Sequence, residues 1–527
     1  VPRRPVAHDS GVAGRRHLLL LPVLLLGLVT ACSAGASNRP VIAFSGTGQG
    51  YGSPTTSTGP LPLPPLETPQ GGKMSWSNCA DATRARLGDL APPASVKLEC
   101  ARMSVALDAP NMPGRGHARI SVLKVGSGPT PLVVVNDAGG EPGSTYAARL
   151  AAKLPPEVLN TFSLIGIDRR GTGGSDAVQC VPGRSRTAII GFDPAQANTD
   201  GIQSAAGEAS RECVLDLDIR LGALDTWRAS SDLEDLRTGL GASRINAIGR
   251  GDGAKVLTTY ASRFPGQVGR MVLDGAPDPT LDTSGRAEAR AVGAEAAFQA
   301  FATDCAARGC PLGADPKQKL LALLDQLRGA PLRTSDGTQL TAGTALNAVL
   351  VGLGDRASWP ALGDAIAKAA TGDGTGLATL VQPLFGDGDQ NPPRLDADLV
   401  TGCNDDATRI TPQQVAALAQ DWRNRHPLFG GLFAQRLLLC GPWSVPNPPQ
   451  VPSGVNTPPM LVVSTAGDPV TPQSGTERAA QQLSAGVLVG WQGGGHGALG
   501  QSSCATAAAQ HFLIDGKSPT NGTVCPP

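Results

Sequence analysis

The chain has 527 residues, with 44 Lys and Arg against 44 Asp and Glu, so its formal charge is zero. With no basic excess, nothing marks a nucleic-acid partner. The 67 glycines and 45 prolines, roughly twice the usual share, exclude a long helical rod, and the length suits either two or three typical domains or one elaborated α/β domain.

Near the start, Arg15 and Arg16 precede an apolar run from Leu18 to Val29. A run of about 12 residues is too short to cross a bilayer core of roughly 30 Å and suits the centre of a signal peptide, here residues 1–31. Val29-Thr30-Ala31-Cys32 resembles a bacterial lipobox, in which Cys32 becomes the acylated first residue of the exported chain. The alternatives are a signal peptide cut near Ala31 and a twin-Arg export signal, whose downstream residues match weakly. The expected location is extracytoplasmic, lipid-anchored to a bacterial cell membrane through Cys32, or secreted. Residues 32–75 are rich in Ser, Gly, Pro and Thr. They cannot bury a core and read as a flexible tether, with order beginning near Trp76 and Cys79.

Beyond Cys32 ten cysteines remain. An even number in an exported chain implies disulfides rather than metal ligands or thiol chemistry. Sequence alone does not fix the pairing; the expectation is neighbour pairing, Cys79–Cys100, Cys180–Cys213, Cys305–Cys310, Cys403–Cys440 and Cys504–Cys525. The four histidines past the leader, His117, His426, His496 and His511, lack metal-site spacing. No metal and no other cofactor is expected.

From about residue 98 the pattern alternates as a half-buried antiparallel pair would, in "LECARMSVAL" and "HARISVLKV". Short apolar runs follow, each ending in turn residues: "PLVVVNDAGG", "FSLIGIDRRGTGGSD", "RINAIGRGDG", "RMVLDGAPDP", "PMLVVSTAGDP" and "GVLVGWQGGGHG". Continuous apolar runs suit strands buried on both faces, as in parallel sheets. Helical patterns lie between several of them, notably 230–241, with Leu233, Leu236 and Leu240 on one face, and 253–265, which stops at Pro265. The sum is an α/β fold with a mostly parallel sheet. Residues 280–455 break the alternation, are Ala-rich, and read as a helical lid over the strand C-terminal ends, where open α/β sheets bind ligands. The core then falls into two parts, 76–279 and 456–527.

Three stretches carry a family resemblance. "ASSDLEDLRTGLGASRINAIGRGDGAKVLTTYASRFPGQVGRMVLDGAPDP" resembles the nucleophile-elbow region of secreted actinobacterial tripeptidyl-aminopeptidase-type α/β-hydrolases. "LIGIDRRGTGGSDAVQC" and the C-terminal segment from "PPMLVVSTAGDPVTP" to "GGGHGALGQSSCATAAAQHFLIDG" are similar to that family as well. The resemblance covers roughly 79–280 and 400–527. It implies the α/β-hydrolase fold and a serine exopeptidase, or a related esterase, acting on peptides or small esters. Its triad order, nucleophile, acid, His, falls on position 251, Asp468 and His496.

Position 251 is Gly. Gly249 and Gly253 still frame a G-x-?-x-G turn, but glycine offers His496 nothing to activate. The expectation is an impaired pseudo-hydrolase that binds peptides or an envelope partner. The alternative is an active peptidase or esterase with a non-standard nucleophile. Asp252 would supply the oxyanion-hole N–H, with Gly139 and Gly140 on the preceding loop; Asp137 and Glu141 add negative charge beside it, in a loop where the family pattern reads Asn-Pro-Gly-Gly-Pro-Gly. Asp252 as an ester-forming nucleophile would need the elbow slipped by one residue, placing bulky Arg250 in a tight turn. Ser144 is expected to cap the next helix. Arg250-Gly251-Asp252 spells an adhesion tripeptide, but its place in a lidded cleft makes that coincidence.

Overall fold

The computed structural model describes residues 61–334, 337, 339–443, 449, 451 and 455–527. The signal segment, Cys32 and the first part of the tether lie outside the described residues. Ten strands form one sheet in the order β1-β2-β3-β5-β4-β6-β7-β10-β11-β12. They are β1 (Ser77–Asn78), β2 (Leu98–Ala106), β3 (His117–Val125), β4 (Thr130–Val135), β5 (Phe162–Ile167), β6 (Ile245–Arg250), β7 (Val268–Asp274), β10 (Met460–Gly467), β11 (Gly486–Gly494) and β12 (Thr523–Cys525). A separate hairpin pairs β8 (Leu332–Arg333) with β9 (Gln339–Leu340). From β5 to β12 every pairing is parallel, while β1, β2 and β3 add an antiparallel edge. This is the α/β-hydrolase arrangement: a mostly parallel sheet with helices packed against it. The central strands β4, β5 and β7 are buried along their whole length, which is why they read as unbroken apolar runs.

Helix starts follow local chemistry. The helix expected over 230–241 runs Thr226–Leu240, because the Asp225 side chain accepts the Arg228 N–H and caps it four residues earlier. It ends at Gly241 in the left-handed region. The tether expected to reach residue 75 ends sooner. Leu63 and Leu66 pack against the core, and the buried Arg270 donates to the Pro64 carbonyl at 3.0 Å. All five disulfides join the expected neighbours, with Cα–Cα distances from 4.7 to 5.7 Å.

Between β7 and β10 the described residues form helices, from Thr283–Arg308 to Gly430–Arg436, with the hairpin among them. This layer has its own apolar core, built around Phe298, Phe301, Trp359, Trp422 and Phe433. It rests on the sheet's C-terminal ends: a Cβ on Gly293 would lie 2.6 Å from the Asp468 carbonyl oxygen, and one on Gly494 2.6 Å from the Trp359 ring.

Below it, Arg170 of the turn after β5 is buried against Asp232, with Nε and Nη2 at 2.8 and 2.6 Å from its two oxygens. Nη1 donates to the carbonyls of Leu107 and Ala223. Asp232→Ala would leave a buried guanidinium uncompensated. Urea unfolding with disulfides intact should show a loss of about 3–5 kcal/mol; a loss below about 1 kcal/mol would show that the pair does not anchor this turn.

Candidate active site

Four strand ends converge on one point. At the end of β6 the chain turns through Gly251, with φ 59° and ψ −126°, into the helix Asp252–Arg263. This is a backbone conformation that side-chain-bearing residues enter only under strain. Gly251 N–H donates to the Asp274 carbonyl at 3.1 Å, tying the turn to β7. Gly253 lets the helix close on β4: a Cβ there would lie 2.4 Å from the Val135 oxygen. The sharp strand–turn–helix expected at 249–253 is therefore present.

Asp468 follows β10 and His496 follows β11. His496 Nδ1 lies 3.1 Å from both carboxylate oxygens of Asp468. Asp468 is wholly buried and also accepts the N–H groups of Val470, Thr471 and Gly497 at 2.8–3.1 Å. The His496 loop is seated by Asp274, which accepts the Ala498 and Leu499 N–H groups. The expected acid and base thus form an oriented pair.

The third member comes from a place the motif order did not indicate. Asp137, two residues past β4, sets Oδ2 2.7 Å from His496 Nε2. Its Oδ1 accepts the Asp252 N–H at 2.8 Å. A Cβ built on Gly251 would lie 1.9 Å from Asp137 Oδ1. The carboxylate therefore occupies the volume of a side chain at 251 and engages the amide expected to hold an oxyanion.

The remaining donors are also committed. Asp252 Oδ1 accepts Arg169 Nη1 at 2.8 Å and the Ala138 N–H at 3.1 Å, so the loop amide facing the elbow is Ala138. Gly140 N–H makes a turn bond to the Asp137 carbonyl at 3.2 Å and so does not serve as a hole donor. Gly139 lies against Asp398, whose side chain would meet a Cβ there at 2.8 Å. Arg250 is not an obstacle to the turn: it stacks on Tyr146 at 3.9 Å and donates to Asn136 Oδ1 at 2.9 Å. Arg250-Gly251-Asp252 is thus built into this site. Ser144 does not cap its helix as expected. The helix Gly143–Ala151 begins after Pro142, and the Ser144 N–H donates to Asp168 at 2.8 Å.

Electrostatics fix the protonation states. Burial alone would lower the His496 pKa, but the carboxylates of Asp468 and Asp137 on its two nitrogens push it up to about 10. Burial alone would raise Asp137; the imidazolium, Arg250 and the Asp252 amide hold it well below the usual carboxylate range. Asp468 is likewise lowered against its burial. Asp252 moves the other way, pushed up to about 6 by desolvation and the Asp137 charge despite Arg169. The neutral-pH state is an imidazolium between two carboxylates, which cannot act as a general base.

Among Asp137, Arg169 and Asp274, only Asp137 had a sequence signal: an acid in a loop where the resembling family carries Pro. Among the described residues no group of three or more His, Cys, Asp or Glu is placed to hold a metal ion.

The family model described as TAP-like protein matches residues 426–525. Carboxylesterase B of Mycobacterium tuberculosis (strain CDC 1551 / Oshkosh) is 30% identical over 545 aligned positions, covering 97% of this chain and 98% of the relative. Serine protease Hip1 of Mycobacterium tuberculosis (strain ATCC 25618 / H37Rv) is 28% identical, covering 81% and 87%. Tripeptidyl aminopeptidase of Streptomyces lividans is 22% identical, covering 82% and 84%.

A folded-state pKa raised above the unfolded value stabilises the protein fully below about 6.5, and the contribution is lost as pH rises through about 10. Imidazole NMR signals of His496 should keep the imidazolium pattern through pH 8 and change only near pH 10. Titration near the free-histidine value would show that Asp137 does not hold the proton in place.

Proposed function

Since the chain belongs to the TAP-like family of α/β-hydrolases, we propose that it is a catalytically silent member. It keeps the cleft of a peptidase- and esterase-like hydrolase and binds peptides, small esters or an envelope partner without cleaving them. The observation that carries this is the carboxylate of Asp137 lying 1.9 Å from where a Cβ at position 251 would stand. We take Gly251 to stand where serine hydrolases of this fold carry the nucleophile. Without that hydroxyl no acyl-enzyme forms. With Asp137 on the Asp252 amide and Asp252 on the Ala138 amide, a developing oxyanion would meet negative charge instead of free donors.

A second reading is favoured by one observation. Asp137 places a carboxylate beside both His496 and the elbow amide, the position from which a carboxylate nucleophile would act. Against it, both oxygens are hydrogen-bonded and the charge is strongly stabilised, which makes the group a poor nucleophile.

The test compares the native ectodomain with Gly251→Ser, Asp137→Gly and the double variant on fluorogenic tripeptide amides and short esters. The native chain and Gly251→Ser alone should show no turnover, because the new side chain meets Asp137. The double variant should turn over and label with a fluorophosphonate, at about 10²–10³-fold below a site with a complete hole, since Asp252 still claims one amide. Native turnover that His496→Ala abolishes would overturn the reading in favour of the second.

We also propose that the chain is exported and anchored through Cys32. Five disulfides support an oxidising compartment. Metabolic labelling with a fatty acid should mark the native chain and not Cys32→Ser; equal labelling of both would reject the anchor.

A further inference from the structure

Beside the filled elbow lies an open cleft. A cavity of about 720 Å³ runs between the helix Ala80–Leu87, the loop carrying Ala138 and Gly140, the turn after β5, and the segment 386–394. That volume is typical of small-molecule sites. Ala138 and Gly140 line it, so it adjoins the hydrolase centre without passing through the Gly251 turn.

Half of its charged groups are already engaged. Glu141 pairs with Arg149 at 3.1 Å. Asp168 accepts the Ser144 and Gly174 N–H groups, both at 2.8 Å. Asp389 accepts Gln179 at 3.1 Å. Asp387, Arg86 and Arg102 sit exposed at the rim, in water. Arg394 differs. It is half-buried in the cavity wall, yet its guanidinium makes no hydrogen bond or ion pair with any described residue. The nearest field of opposite sign is that of Glu141, which is bonded elsewhere, and the Arg149 and Arg250 charges repel it. Arg394 is also the first residue of the helix Arg394–Asp405, which has no side-chain cap. A cation there opposes the helix dipole. The site is the cavity with its unpaired guanidinium; the helix end only makes the missing counter-charge more costly.

A half-buried arginine without a partner is unfavourable unless an anion completes it. The walls indicate what that anion is attached to. Leu87, Leu90, Val178, Pro383 and Pro392 line the same space, and Leu90 is an exposed large apolar side chain. We propose that this cleft binds a small organic carboxylate with an apolar body, its carboxylate paired bidentately with Arg394 and its body lying along the apolar wall. Both an apolar peptide with a free C-terminus and a short fatty acid have this chemistry. The inference rests on the reading of the fold as a binder, and names the ligand class for it.

Isothermal titration of the native ectodomain tests it with four probes: trileucine as free acid, trileucine amide, octanoate and methyl octanoate. At least one acid should bind saturably, at least ten-fold more tightly than its neutral counterpart. Arg394→Gln should abolish that difference, and Arg394→Lys should keep part of it at an unchanged melting temperature. Preference for trileucine identifies a peptide source, and preference for octanoate a lipid one. No binding by either acid, equal binding of acid and neutral forms, or an Arg394→Gln variant that discriminates as the native does would each overturn the proposal. Turnover in the earlier assay would refute the silent reading while leaving this binding result standing.

Discussion

One ion triple organises the centre of this molecule: the imidazolium of His496 held between the carboxylates of Asp468 and Asp137. Two buried or nearly buried carboxylates beside each other would be strongly unfavourable, and a buried imidazolium alone equally so. Together they satisfy one another, and each is reinforced by backbone donors: three amides on Asp468 and one on Asp137. The three groups behave as one titrating unit rather than as three residues. The loops after β4, β10 and β11 are therefore pinned to each other through charge as well as packing. Asp274, bonded to the Ala498 and Leu499 amides, pins the His496 loop to β7 besides.

The glycine at the elbow and the acid on the neighbouring loop are complementary. Glycine vacates a volume, and Asp137 fills it. The oxyanion hole of an active hydrolase is a set of donors kept free for charge that appears only in the transition state. Here the elbow amide and the facing loop amide are both bonded to carboxylates. Both amides are satisfied internally, by Asp137 and Asp252.

Much of this was legible in the sequence because it is local. Unbroken apolar runs marked the central parallel strands, and the glycines at 249 and 253 marked a sharp turn. The ten cysteines also joined as neighbours along the chain. The positions of Asp468 and His496 followed from their place after buried strands and from the family resemblance. What was not legible is set by tertiary placement. Asp137 and the Asp252 amide are 115 residues apart in sequence; they meet because β4 pairs with β6. Its bond to His496 spans 359 residues. The acid was readable as negative charge near the hole, but nothing local says that its side chain turns into the space above a glycine. The tether misread has the same origin. Residues 61–75 have the composition of a linker, yet Leu63 and Leu66 find apolar partners and Arg270 finds the Pro64 carbonyl. Ser144 was misassigned because Asp168, a residue from another strand end, takes its amide.

The helical layer over the sheet is bonded to the centre it covers. The backbone N–H of His496 donates to the Gly354 carbonyl at 2.8 Å, and Gly293 packs against the carbonyl of Asp468. Gly354 and Gly293 both belong to the cover, so His496 and Asp468 are each in contact with it. Swinging the cover open as a door would break the bond from the His496 backbone to Gly354 and so disturb the loop that carries the imidazole. The cover is better described as a keystone than a lid: it is tied to the charged centre, while the cavity beside Arg394 opens on the flank.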